Sequence, residues 1–399
     1  MLLVGVRTDL SFTSYYNKTR YAGLENHISN SYANSLLQVM NYTPLLRNLA
    51  LQHAATACLS DPCLLCELGY VFDMLQKAEG STCQASNMLK ALGNHPQAAP
   101  LGLLEEEVHS STPSVMIQGL TRFLLDRISN DYRSIPPAST TLERNLFNLP
   151  DPVDQEDLLS RLLATSAVSS IRCNNCRNES TRPGSTYVND LIYPQPKPAG
   201  RGGGGGNGRA VKTTFSQVLK TSVERETTSK GWCSRCQRYQ TLQTRKTIHN
   251  IPAVLALNAA VQTQEHRRLW ATPGWLPEEI GVIVDHAGQF FCYEGEDLKL
   301  HLQRQMHQVV VYSLVGVVVN VEGGEAGARG HLVGMVNGES CFRSSSCLSH
   351  LFLLAGLSLR YSALAISGRL CRRAKVPSSR GAFIAFCLPV LWGCFTTSL

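Results

Sequence analysis

From Ser340 to Leu399 the sequence contains no aspartate or glutamate, while seven basic residues fall there: Arg343, Arg360, Arg369, Arg372, Arg373, Lys375 and Arg380. The whole chain has 37 basic and 30 acidic residues, a formal charge of +7. The excess therefore sits in the tail, and residues 1–339 are formally neutral. That excludes a bulk electrostatic signature of nucleic-acid binding in the body of the chain, because phosphate affinity comes from clustered lysine and arginine. A secretory signal is not expected either. Residues 2–6 form an apolar patch, but Met1–Phe12 lacks a basic leader and a long apolar core. Fourteen cysteines without such a signal point to a reducing compartment. Thiols there are more often buried, catalytic or metal-bound than paired.

What is present suffices for a large core: 399 residues, 43% of them hydrophobic, fill one large domain or two ordinary ones. The spacing predicts a helix from Ser29 or Asn30, with Tyr32, Leu36, Val39 and Met40 on its apolar face, and a second short helix started by Pro44. Further helices are predicted over Glu67–Lys77, stopped by Gly80, and over 115–130 and 155–164. After Ala167 the pattern changes to short runs rich in β-branched residues. These are Val168–Arg172, Val211–Phe215, Leu242–Ile248, Val254–Ala259, Gly281–Asp285 and Val309–Val321, each predicted as a strand. Residues 180–210 carry Pro-x-Pro repeats and the Gly202–Gly206 run, and are expected to be a disordered loop without function. An RGG-like RNA contact is the sharper alternative, for which a single Arg–Gly unit gives little support.

The tail reads differently from the rest. It holds five of the fourteen cysteines and two uncharged apolar stretches, Leu348–Leu359 and Gly381–Leu399. The second is near the lower length for a membrane span, but Pro389, Gly393 and the threonines weaken it, and no membrane is expected. Acid-free, motif-free sequence resembles translated non-coding DNA. Residues 338–399 are therefore expected to be an irregular, aberrant tail.

Two Cys-x-x-Cys knuckles, Cys173/Cys176 and Cys233/Cys236, are separated by 56 intervening residues. Each lets two thiolates converge on one ion, so the pair predicts a closed, structural four-cysteine zinc site. Free or redox-active thiols are the competing reading. Cys63 and Cys66, with Cys58 nearby, have similar spacing but lead into the apolar helix face of Leu68, Phe72 and Leu75. They are expected to be small buried hydrophobes, with metal ligation as the competing reading.

The stretch from Gly23 to Gln38, GLENHISNSYANSLLQ, resembles the cysteine box of ubiquitin-specific proteases, G-L-x-N-x-G-N-T-C-Y-x-N-S-x-L-Q. Gly23, Leu24, Asn26, Tyr32, Asn34, Ser35, Leu37 and Gln38 agree, and Asn26 falls on the family's oxyanion-hole asparagine. The nucleophile position holds Ser31, and Ile28–Ser29–Asn30 replaces the family's Gly-Asn-Thr. A serine hydroxyl is far less acidic than a thiol. It needs a base, an orienting acid and an oxyanion hole built around it. Tyr312–Asn320 followed by Gly330–His331–Leu332 resembles the family's histidine box and puts His331 at the base position. The orienting Asp or Asn has no match, and the chain leaves the pattern at about Asn337. A Ser31–His331 dyad is thus incomplete, and Ser31, Asn26 and His331 are read as degenerate positions.

Three longer stretches, NKTRYAGLENHISNSYANSLLQVMNYTPLLRN, CLLCELGYVFDMLQKAEGSTCQASNMLKAL and CSRCQRYQTLQTRKTIHNIPAVLALN, resemble one inactive branch. This is the pseudo-ubiquitin-hydrolase domain of catalytic subunits of the PAN poly(A)-specific ribonuclease, over roughly residues 15–337. The resemblance implies an α+β, papain-like fold with a helical thumb, a β-rich palm and zinc-bearing fingers, preceded by an extension over 1–14. It implies a non-catalytic scaffold that supports an exonuclease domain in cis. It further implies assembly with a pseudokinase regulatory subunit and poly(A)-binding protein, in the cytoplasm, with processing bodies as one candidate site. No Asp-x-Glu on a strand followed by spaced aspartates is found, so no catalytic metal is expected in this chain. A thiol hydrolase acting on ubiquitin through another residue, and a ubiquitin-binding module, are the alternatives.

Overall fold

The computed structural model describes residues 21–25, 31–56, 58, 60–101, 113–133, 159, 161–194, 213–305, 307–321, 331–337, 351–354 and 383–390. They fall into two compact units. One draws on Met1–Leu149, Arg329–Cys341 and Cys347–Arg372, and the other on Pro150–Ala328, Phe342–Ser346 and Arg373–Leu399.

The first unit is mainly helical, as a thumb should be. It starts with β1 (Gly23–Leu24), α1 (Ser31–Asn41), α2 (Pro44–Ala54), α3 (Leu64–Lys77), β2 (Thr82–Cys83), α4 (Ser86–Asn94) and α5 (Pro113–Arg133). Tyr32 through Asn41 are all buried, so α1 is enclosed on every side. A helix buried all round needs no single apolar stripe, but its polar residues need partners. Asn34 Nδ2 donates to the Glu25 carbonyl at 3.0 Å and so ties α1 to β1. Pro44 opens α2, where its missing N–H costs nothing. The helix expected from Glu67 starts three residues earlier. Asp131 Oδ2, from α5, accepts the Leu64 and Leu65 N–H groups at 3.1 and 3.3 Å and satisfies that first turn. The expected stop is present: Gly80 has φ +90° just past α3.

The second unit is β-rich. Its elements are β3 (Thr165–Cys173), β4 (Glu179–Thr186), β5 (Val188–Asp190), α6 (Phe215–Val223), β6 (Thr227–Cys233), β7 (Arg238–Asn250), β8 (Leu255–Asn258), α7 (Gln264–Trp270), β9 (Glu279–Val284), β10 (Phe290–Glu294), α8 (Gly295–Arg304) and β11 (Val310–Val321). The chain then adds β12 (His331–Asn337) and β13 (Leu351–Leu354), an antiparallel pair in the first unit, and finally β14 (Phe383–Val390) in the second. Within the second unit, the order β10-β9-β11-β14-β8-β5 forms the palm, and β4-β3-β7-β6 forms the fingers.

The palm core is built on β8, β9 and β11, with Leu255, Ala256, Leu257, Val282, Val315 and Val318 almost wholly buried. Tyr312 of β11 is 1% exposed, and its hydroxyl donates to the Pro252 carbonyl at 2.5 Å. Tyr312→Phe should therefore cost about 1–2 kcal/mol, because a buried carbonyl loses its donor while the ring still packs. Denaturant unfolding checks this through a lower midpoint at unchanged slope.

Three expectations need correction. Val211–Phe215 is not a strand where it is described, because Phe215 opens α6. Thr214 Oγ1 accepts the Gln217 N–H at 3.3 Å and Gln217 Oε1 accepts the Thr214 N–H at 3.3 Å, a reciprocal cap that fixes the helix start. Residues 180–190 are not loop but lie in β4 and β5. Pro183 and Gly184 are tolerated because β4 is the edge strand of the fingers, paired only with β3. Of the rest of that segment, 191–194 lie in neither helix nor strand, and 195–210 lie outside the described residues. Of the tail expected to be irregular over 338–399, the described residues are the strands β13 and β14, and the remainder lies outside the described residues. Pro389 falls past the Ile384–Cys387 residues that pair with β8, so no bond on that side needs its missing N–H. Of the helix expected over 155–164, residues 159 and 161–163 are helical. The extension over 1–14 lies outside the described residues. Among the described residues, no helix is long and apolar enough to cross a membrane.

Candidate functional site

The fingers present the clearest constellation. Their sheet buries very little. All eight residues of β4 are exposed, and along β3 and β6 the buried positions are Thr165 and the two cysteines that end the strands, Cys173 and Cys233. Such a sheet has no apolar layer to hold it. At its tip, Cys173, Cys176, Cys233 and Cys236 place their sulfurs within 4.8 Å of one another. Cys173 Sγ is 4.0 Å from Cys236 Sγ, and Cys176 Sγ is 3.5 Å from Cys233 Sγ. All four are free thiols. A tetrahedral ion with bonds of about 2.3 Å to sulfur would hold its ligands roughly 3.8 Å apart, between those two distances.

The backbone builds both knuckles alike. Residue Arg177 has φ +58° and Gln237 has φ +52°. Each comes directly after the second cysteine and returns its N–H to the carbonyl of the first, Cys173 or Cys233, at 2.9 Å. The Cys236 N–H points at Cys233 Sγ at 3.5 Å, and Asn175 Nδ2 reaches Cys236 Sγ at 3.5 Å. These donors favour sulfur anions. The Cys236 backbone N–H draws the Cys233 thiol down to about 7. Cys176, although the Asn178 backbone N–H favours its thiolate, is pushed up to about 12 by desolvation and the neighbouring thiols. Four sulfurs so close cannot all ionise without a cation between them. The residues present therefore fit a structural zinc ion.

Ser31, expected at the nucleophile position, is the first residue of α1. Its Oγ accepts the Leu332 N–H at 3.5 Å. Within the first unit β12 runs along α1, and Gly334 packs so closely that a Cβ would lie 2.8 Å from the Ser35 carbonyl oxygen. His331 opens β12, but its side chain lies outside the described residues, as does the whole of Asn26 and Ile28–Asn30. One of the two acceptor positions of the Ser31 hydroxyl is thus turned to backbone.

Of the cysteines expected as small buried hydrophobes, Cys63 is buried, and Cys58 and Cys66 are half-buried. Together with His53 they form a second group whose ligand atoms lie within 4.8 Å of one another. His53 sits in the last turn of α2 and is 1% exposed. Its Nε2 is 3.2 Å from Cys63 Sγ. Burial lowers the His53 pKa, and the Asp131 carboxylate raises it in part. Burial also raises the Cys63 thiol and pushes Cys66 up to about 11. His53 was missed in the sequence because it lies on a helix five residues before the nearest cysteine. The spacing His-x4-Cys-x4-Cys-x2-Cys was the available signal.

The sequence model of one family, ubiquitin carboxyl-terminal hydrolase, matches residues 22–346. A protein of Chaetomium globosum named PAN2-PAN3 deadenylation complex catalytic subunit PAN2 is 68% identical over 346 residues, covering 87% of this chain and 31% of that protein. Its namesake from Neurospora crassa is 58% identical over 323 residues, covering 81% of this chain and 24% of that one. The chain thus spans a third or less of these curated relatives. Among solved structures, the Neurospora crassa Pan2 catalytic unit (protease and nuclease domain) superposes with a TM-score of 0.71 at 57% identity. The match covers 82% of this chain and 50% of that one. The Saccharomyces cerevisiae PAN2 pseudoubiquitin-hydrolase gives 0.64 at 17% identity, covering 96% and 92%, which speaks for the fold alone.

Proposed function

The chain belongs to the ubiquitin carboxyl-terminal hydrolase family, and from that membership we propose that it is a non-catalytic scaffold domain of a poly(A)-specific mRNA deadenylase subunit. The observation that carries the reading is Ser31. By resemblance it stands where the family's box has its cysteine, and its hydroxyl accepts the Leu332 N–H. An alkoxide would have to form without the thiol's acidity and without an orienting acid, so peptide hydrolysis has no nucleophile here. The deadenylase half of the reading is supported by the 58% and 68% identity to subunits named for that complex.

In this reading, the domain supports a 3′-exoribonuclease domain in the same subunit. It takes its place beside a pseudokinase regulatory subunit and poly(A)-binding protein, in the cytoplasm and its processing bodies. Cys173, Cys176, Cys233 and Cys236 hold one structural zinc ion. That ion supplies a cross-link between the two finger hairpins and no catalysis, because all four positions are filled by protein.

Incubating the chain with a ubiquitin electrophile probe and a fluorogenic ubiquitin substrate should give neither adduct nor turnover. Ser31→Cys should be equally inert, since restoring the thiol restores neither the orienting acid nor the Gly-Asn-Thr that Ile28–Ser29–Asn30 replaces. A labelled Ser31→Cys protein would instead mean that the ubiquitin grip survives, favouring a ubiquitin-binding module. To test the scaffold directly, residues 15–337 would replace the matching segment of the Neurospora crassa subunit. Poly(A) shortening within a few-fold of the parent supports the reading, and loss of shortening in a folded chimera removes it.

A further inference from the structure

We propose that His53, Cys58, Cys63 and Cys66 form a second structural metal site, a closed tetrahedral set of three thiolates and one imidazole suited to zinc. The four residues come from three consecutive pieces of backbone: the last turn of α2, the connection after it, and the start of α3. Their ligand atoms converge within 4.8 Å, the same limit that the finger cysteines meet. Zinc holds neighbouring nitrogen and sulfur ligands roughly 3.5 Å apart, and His53 Nε2 lies 3.2 Å from Cys63 Sγ.

Cys63–Leu64–Leu65–Cys66 is also built as a knuckle. The Cys66 N–H points at Cys63 Sγ at 3.4 Å, as the Cys236 N–H points at Cys233 Sγ at 3.5 Å in the fingers. This knuckle leads into a helix, the finger knuckle into a strand. The connection is held in place to deliver its ligand. Thr56 Oγ1 donates to the His53 carbonyl at 2.7 Å, and the Cys58 N–H donates to the Thr56 carbonyl at 3.0 Å.

Apolar filling does not account for this group. A wholly buried imidazole requires hydrogen-bonding partners. Among the described residues, His53 Nε2 faces only a thiol, a weak one, and Nδ1 has none. Metal ligation gives the Nε2 lone pair a strong partner. On binding, the three thiols release their protons to solvent and leave a site of net charge −1. Asp131 lies close, with Oδ2 3.8 Å from Cys63 Sγ, but its charge is taken up by the first amides of α3.

The test is metal content of the whole purified chain by mass spectrometry, with X-ray absorption to count ligands. Two equivalents of zinc are expected in the unaltered protein and one in Cys233→Ser/Cys236→Ser. The surviving equivalent should show three sulfur neighbours and one nitrogen. Cys63→Ser/Cys66→Ser should remove that equivalent and keep the finger metal. If this variant fails to fold, the finger variant still decides the matter. No zinc in a folded finger variant overturns the proposal, as does a four-sulfur shell there or a disulfide among Cys58, Cys63 and Cys66. Because the claim rests on the equivalent that outlives the finger cysteines, it fails separately from the finger site.

Discussion

Cys233→Ser is expected to release the zinc ion proposed for the fingers and unfold the β4-β3-β7-β6 sheet while the palm stays folded. The asymmetry comes from burial. The palm keeps its own core of Leu255, Leu257, Val282, Val315 and Val318, all nearly inaccessible. Besides its two buried cysteines the finger sheet buries Ile248, Thr165 and little else, with Trp232 and Tyr239 meeting edge to face on the outside, 55% and 73% exposed. One exposed aromatic pair contributes roughly 0.5–1.5 kcal/mol. Structural zinc in small finger peptides contributes an apparent ~10–16 kcal/mol near neutral pH. The ion therefore outweighs everything else the sheet possesses. Hydrogen exchange should show the amides of Thr227–Cys233 and Arg238–Asn250 losing protection in the variant, with those of Val310–Val321 unchanged. A chelator should do the same to the unaltered protein. Acid should act in that direction too, since protons compete for the thiolates, so metal is retained as pH rises and lost as it falls. Folded, protected fingers without metal would defeat the expectation.

The sequence disclosed those elements whose signal was local and redundant. The enclosed helix α1 was legible through the Tyr32–Met40 spacing and the family box, and the finger cysteines through two knuckles with matched spacing. Where two local signals conflicted, the reading went wrong. In Val211–Phe215, β-branched content outweighed the Thr214–Gln217 cap, yet a reciprocal pair of hydrogen bonds fixes a helix start more firmly than side-chain shape fixes a strand. Pro183 and Gly184 suggested loop, because nothing in the sequence told that this strand would be an edge. The strand Phe383–Val390 had apolar residues without alternation, which suits a strand flanked on both sides as well as it suits a membrane span. His53 was hidden for a different reason. Its partners come from a turn whose path depends on how two helices pack.

Gly69→Ala is expected to destabilise the helical unit, although alanine is the better helix former by about 1 kcal/mol. Gly69 lies in the middle of α3, where such a gain would ordinarily appear. A Cβ there would stand 2.5 Å from the Ala54 Cβ and closer still to the Ala50 carbonyl oxygen, both on α2. The neighbours are backbone and a methyl group, which cannot swing aside. The two helices must separate, and overpacking of this kind costs about 1–3 kcal/mol or more. A net loss of roughly 2 kcal/mol should lower Tm by several degrees, and Gly69→Val should cost more. Gly184→Ala is the control, since a Cβ there meets nothing within 4 Å, and its Tm should stay within about a degree. The same displacement moves His53, beside Ala54 on α2, relative to Cys63 and Cys66 on α3. Gly69→Ala should therefore also speed loss of the second zinc equivalent to a chelator, without touching the finger metal. An unchanged Tm would mean that α2 and α3 part without cost, and that their close approach at Gly69 holds neither the helices nor the cluster at their ends.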